Sequence, residues 1–220
     1  MKTIKYFFEF IAVITLFLIF KIIGLKNASN LGSNIGRFFG PLFRSKSITK
    51  QNIKTGLGEI NEKKELEIIN DMWSNIGRTF AEYVFLKDFK LNKTNFNHIK
   101  IKGKNYLDEI KKNNESVIFY SAHFANFELM AMELNKSGIK CAAIYRPLNN
   151  FFLNPLMEYL RMKYICPNQI PKGRAGMREI INKVKEGYSI ALMVDQRVGE
   201  GPRVPFLISL HIRQLYLRNL

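Results

Sequence analysis

Apolar positions follow three regimes along this chain. The first is unbroken: Tyr6 to Leu25 reads Y-F-F-E-F-I-A-V-I-T-L-F-L-I-F-K-I-I-G-L, with charges only at Glu9 and Lys21. A helix of ~20 residues spans the hydrocarbon layer of a bilayer, and charges near its ends reach the interface. A transmembrane anchor is expected. The competing reading is a cleaved secretory signal, since Lys2 and Lys5 make a basic start, but Lys26-Asn27-Ala28-Ser29 is a poor cleavage site. The second regime is mixed. Leu31 to Phe43 interleaves glycines and aromatics and admits two readings. It could be a surface segment with Phe38, Phe39, Leu42 and Phe43 in the bilayer and Arg37 and Arg44 at the headgroups, or an ordinary packed turn. From Asn61 a long helix is predicted. Asn61 caps it, Glu62 and Glu65 sit in its first turns, and Leu66, Ile69, Trp73, Ile76, Phe80, Tyr83 and Val84 form one core-facing stripe. Trp73 reads as a core anchor.

After the polar stretch Lys87 to Asn97 comes the third regime, short apolar runs alternating with helical periods. Ser116 to Tyr120, Lys140 to Tyr145 and Tyr188 to Val194 read as buried strands. Asn126 to Lys136, Asn154 to Tyr164 and Gly176 to Glu186 read as helices, two of them stopped by Gly138 and Gly187. Strands joined by helices of this length imply right-handed crossovers, hence an α/β fold with a largely parallel sheet flanked by helices. Open α/β sheets gather their sites beyond the carboxyl ends of the strands. Polar clusters occupy three such ends: Ser121 to Glu128, Arg146-Pro147, and Asp195-Gln196-Arg197.

In the first cluster the small residues Ser121 and Ala122 let the chain turn off its strand. On one continuous helix His123 and Glu128 would point about 140° apart. With His123 on the turn, Glu128 can fold back and accept from one imidazole nitrogen, which fixes the tautomer and raises the basicity of the other. The alternative from the residues alone is a plain turn histidine and a glutamate that favours a helix N-terminus.

Composition narrows the partners. Lys and Arg outnumber Asp and Glu by 34 to 18 in 220 residues, a formal charge of +16. A polyanionic partner follows: nucleic acid, an anionic membrane, or an acidic carrier protein. The basic residues are spread through the chain without a zinc-finger or RNA-recognition signature, so nucleic acid is disfavoured. Basic residues follow the apolar run (Lys26, Arg37, Arg44, Lys46, Lys50, Lys54) far more than they precede it, which leaves the body of the protein in the cytoplasm. Cys141 and Cys166 lack disulfide-framework or metal spacing; Cys141, in an apolar run, reads as a buried thiol. No metal or other cofactor is expected.

H-F-A-N-F-E at His123 to Glu128 fits the H-x-x-x-x-[D/E] motif of the glycerolipid-type acyltransferase superfamily. Together with Y-R-P at Tyr145, N-P at Asn154, P-K-G-R-A-G at Pro171, M-V-D-Q-R at Met193 and V-P-F at Val204, the chain resembles the lipid A biosynthesis (lauroyl/myristoyl) acyltransferases. That resemblance implies transfer of a fatty acyl chain from acyl carrier protein to a hydroxyl of a lipid A precursor at the inner membrane. His123 would be the general base and Glu128 its partner. Arg146, Arg161 and Arg174 would bind donor or anionic acceptor, and Asp195 and Gln196 would shape the site. Acylation of another membrane lipid, or a non-catalytic basic membrane protein, are the other functions compatible with the residues.

The expected organisation is an anchor over 1–26, a helical membrane-proximal segment over 27–97, an incomplete α/β core over 98–206, and an aberrant tail over 207–220. The family pattern after V-P-F continues roughly F-x-x-x-A-x-T-x-x-x-P-A-x-L, which Leu207 to Leu220 do not follow. Inserting one T beside the Phe206 codon, with permitted codons downstream, restores such a string. A single-base deletion is therefore expected, and with it an unstable or inactive product.

Overall fold

The computed structural model describes residues 2–91 and 99–195, which form two compact units divided after Leu91. Gln196, Arg197 and residues 207–220, where an aberrant tail is expected, lie outside the described residues.

In the first unit, the apolar run opens a helix, α1 (Lys2–Phe39), that continues well past Leu25. Gly24 kinks it with φ 80°, ψ 162°, a backbone state that only glycine adopts without strain. With the 3₁₀ turn Gly40–Leu42 it makes the one stretch, among the described residues, long and apolar enough to cross a membrane. Phe7, Phe8, Leu18 and Ile22 lie exposed along it. The next helices are α2 (Lys46–Leu57) and α3 (Glu62–Glu82), followed by a 3₁₀ turn and α4 (Leu86–Leu91). The Asn61 side chain caps α3 as expected, accepting from the Lys64 N–H at 2.8 Å.

The segment Leu31 to Phe43 is no mere turn. Its helical part packs backbone to backbone against α3 through small residues, as tightly apposed helices do. A Cβ on Gly32 would stand 2.4 Å from the Gly77 carbonyl oxygen, and one on Gly36 would stand 2.2 Å from that of Trp73. The buried Ser33 and Ser74 hydroxyls share a 2.7 Å hydrogen bond in the same seam. This contact revises the expected stripe on α3. Ser74, Gly77 and Ala81 are the buried line, while Leu66 and Ile76 are exposed. Close approach selects small side chains, which an apolar count passes over. The Phe80 ring, by contrast, is packed against Phe17 and Phe20. Phe38, Phe39, Leu42 and Phe43 are exposed.

The second unit is the expected α/β layer: α5 (Lys104–Asn113), β1 (Ile118–Ser121), α6 (Glu128–Lys136), β2 (Cys141–Tyr145), α7 (Asn154–Tyr164), β3 (Asn168–Pro171), α8 (Arg174–Lys185) and β4 (Ser189–Met193). All pairings are parallel, in the order β1-β4-β2-β3. Two crossovers step forward across the sheet and the third steps back. Right-handedness therefore puts α6 and α7 on one face and α8 on the other. Ala142, Ile170 and Ile190 form a core cluster against which Ile180 of α8 packs.

Two expectations change. The first strand lies at an edge of the sheet among the described residues and is not buried, with Ile118 and Tyr120 exposed on one side. The strand β3 carries only one fully buried side chain, Ile170, and ends in Pro171, so periodicity did not reveal it; an edge position tolerates that proline.

Candidate functional site

The order of the sheet makes the site. β1 and β4 are neighbours in space although some 70 positions apart, and their ladder continues past the strand ends, where the Val194 N–H donates to the Ser121 carbonyl at 2.9 Å. The chain leaving β1 therefore bends beside the chain leaving β4. His123 lies on the first bend and Asp195 on the second.

The bend from Ala122 to Phe127 is tight. Phe124 N–H donates to the Ala122 carbonyl at 2.8 Å, and Ala125 takes φ +43°, the left-handed region that a Cβ disfavours. This reversal starts α6 at Glu128, so that residues five apart face one cavity rather than diverging. The cavity, about 530 Å³, opens over the carboxyl edge of the sheet and is lined by His123, Glu128, Arg146, Arg161, Tyr145 and Lys172 with apolar neighbours from β2, β4 and α8.

Asp195 grips the histidine twice. One carboxylate oxygen accepts the His123 backbone N–H at 2.9 Å, and the other lies 2.7 Å from ring Nδ1. Phe127 closes on the ring edge-on, centroids 4.4 Å apart. An ionised carboxylate at Nδ1 holds the proton there and leaves Nε2 as the basic nitrogen. Partial burial pushes the Asp195 carboxyl up, but the two His123 hydrogen bonds outweigh it and hold it below its ordinary value.

Glu128 is differently engaged. It is buried, 8% exposed, and one oxygen accepts from both Nε and Nη2 of Arg161 at 3.0 and 2.8 Å. Burial drives its carboxyl above the usual range, and the Arg161 guanidinium pulls against that shift. Arg161 in turn stands over the Tyr145 ring, 5.9 Å from its centroid.

Of the residues singled out from the sequence, the fold brings His123, Glu128, Arg146 and Arg161 onto one cavity and sets Asp195 against His123. The carboxylate at Nδ1 is that of Asp195, where Glu128 was expected. Arg161, expected to meet substrate, lines the cavity and is ion-paired with Glu128. Arg174 is an exposed first residue of α8 and does not line the cavity. Tyr145 and Lys172 also line the cavity, and the sequence pattern did not mark them as site residues although they lie in the Y-R-P and P-K-G-R-A-G motifs. Cys141 and Cys166 are both buried and neither is in a disulfide. Among the described residues no group of three or more His, Cys, Asp or Glu could hold a metal ion.

Residues 1–210 match the family model described as bacterial lipid A biosynthesis acyltransferase. The chain is also 26% identical over 171 residues to "Lipid A biosynthesis acyltransferase 2" of Shigella flexneri, covering 76% of this chain and 52% of that protein. The chain thus spans about half the length of this curated relative.

Proposed function

This chain belongs to the bacterial lipid A biosynthesis acyltransferase family, and from that membership we propose that its cavity transfers a fatty acyl group from acyl carrier protein to a hydroxyl of a lipid A precursor. The observation that supports this most is the imidazole of His123, held at Nδ1 by Asp195 on the wall of a mainly apolar cavity.

The chemistry needs one base and no covalent intermediate on the protein. Nε2 of His123 takes the proton of the acceptor hydroxyl as its oxygen attacks the thioester carbonyl carbon. The tetrahedral oxyanion collapses, the carbon–sulfur bond breaks, and the departing thiolate takes the proton from the imidazolium. Asp195 keeps the ring in the productive tautomer and stabilises its transient charge. Glu128 contributes through its ion pair with Arg161, which braces the start of α6 five residues after the base. Arg146 and Lys172 follow two paired strands and, among the described residues, neither is paired with a carboxylate. They are free to meet phosphate or acidic sugar. The charge of +16 suits both an acidic carrier protein and an anionic lipid. Anchorage through α1 would hold the second unit at the cytoplasmic face of the inner membrane.

The test is acyl transfer by membranes carrying the chain with its reading frame restored after Phe206, with acyl carrier protein thioester as donor and either a lipid A precursor or a lysophospholipid as acceptor. Product on the lipid A precursor, lost in His123→Ala, is expected. Transfer to the lysophospholipid alone would move the function to another membrane lipid, and transfer undiminished by His123→Ala would end the catalytic reading.

A further inference from the structure

A chain of contacts runs behind the cavity wall. On α7, Asn154, Glu158 and Arg161 are spaced four and three apart, so they share one helix face. One oxygen of Glu158 accepts from the Tyr145 hydroxyl and also, at 2.8 Å, from the Asn154 side-chain N–H. The other end of that amide accepts the Leu148 backbone N–H at 2.7 Å. Burial, followed by the bond to Glu158, pushes the Tyr145 hydroxyl pKa up to about 12, which keeps it a proton donor. The Tyr145 ring then lies under Arg161, which bonds Glu128.

Tyr145, Leu148, Arg161 and Glu128 all line the cavity, whereas Asn154 and Glu158 do not. Their influence must pass through the others. We infer that Glu158 is a positioning residue for acyl transfer: its carboxylate, gripping Tyr145 and Asn154 together, sets the Tyr145–Arg161–Glu128 wall and the loop after Arg146 against the reacting groups. This rests on the cavity being the acyl-transfer site.

The carboxylate is suited to this because one oxygen serves two donors from different elements, and charge shortens and strengthens both bonds. Removing it leaves the Tyr145 hydroxyl without its acceptor and the ring without a fixed plane for Arg161. Small misplacements of this kind act on the reacting geometry more than on binding.

The experiment measures kcat and KM for the acyl carrier protein donor, with thermal midpoints, for the chain with its reading frame restored after Phe206, in membranes, and its Glu158→Ala, Glu158→Gln, Tyr145→Phe and Glu158→Ala/Tyr145→Phe variants. Glu158→Ala should lower kcat about tenfold or more while KM moves less than about threefold. Glu158→Gln, which keeps an acceptor oxygen, should recover most of kcat. The double variant should be no slower than the worse single one, because both act through one contact. Unchanged kcat in Glu158→Ala, or losses that multiply in the double variant, overturns the inference. If Glu158→Ala does not fold, Tyr145→Phe deletes only the hydroxyl, and full kcat there overturns it equally. Activity retained in His123→Ala would instead defeat the acyl-transfer reading on which this one stands.

Discussion

Replacing Asp195 by Asn isolates what the second carboxylate does for His123. The substitution keeps size and shape but leaves one acceptor and adds an N–H₂. If the amide oxygen stays on the His123 backbone N–H, the amide donors face Nδ1. The ring must then carry its proton on Nε2, where the base is needed. If the amide flips, its N–H₂ confronts the backbone N–H instead. Hydrogen bonds to an ionised group contribute about 1.5–3 kcal/mol against about 0.5–1.5 for neutral ones. Two such bonds are weakened and the tautomer is wrong, but the Asp195 side chain is 39% exposed, so screening trims the effect. A loss of about 3–4 kcal/mol of transition-state stabilisation follows, on the order of 10²–10³ in kcat at tenfold per 1.36 kcal/mol. The assay is single-turnover acyl transfer with saturating donor and acceptor, which separates the chemical step from binding. A kcat within threefold of the parent would show that this bond does not steer the ring. Stability gives a second readout with a definite sign. The Asp195 carboxyl is held below its ordinary value in the folded chain, so its contribution is present above the unfolded carboxylate pKa and is lost as pH falls through the depressed folded value. The midpoint gap between parent and Asp195→Asn should therefore close on acidification; a gap that widens toward acid would refute the assignment.

Ala125→Gly should raise the thermal midpoint. Ala at φ +43° costs about 1–2 kcal/mol in the left-handed region, more than the ~0.4–1 kcal/mol by which glycine favours the unfolded chain; a lowered midpoint would contradict this. Gly77→Ala should separate α1 from α3, since a Cβ there meets the Gly32 carbonyl oxygen at 2.0 Å; about 1–3 kcal/mol of overpacking should appear as faster proteolysis of the first unit, and parental resistance would argue against the seam. Glu128→Ala strands a partly buried guanidinium and should cost up to about 3 kcal/mol, whereas Glu128→Leu with Arg161→Met should restore much of the midpoint by denaturation; equal loss in single and double variants would mean the pair is not the unit of stability.

The apolar run of α1, the capping of α3 by Asn61, the helices α6 to α8 and the strands β2 and β4 are all legible in the chain because their signals are local: hydropathy, a capping residue, a period of 3.6 or 2. So is His123 as a candidate, since it follows a predicted strand within a recognisable motif. Contacts between distant segments were not legible. Nothing near position 123 announces that β4 lies beside β1 and delivers Asp195 to Nδ1; strand order decides that, and parallel pairing joins residues 72 positions apart. Arg161 was visible as a cation but not as the partner of Glu128. The seam of α1 on α3 hid for a related reason: burial there is achieved by glycine and serine, because two backbones in contact exclude the large side chains by which sequence patterns identify a core.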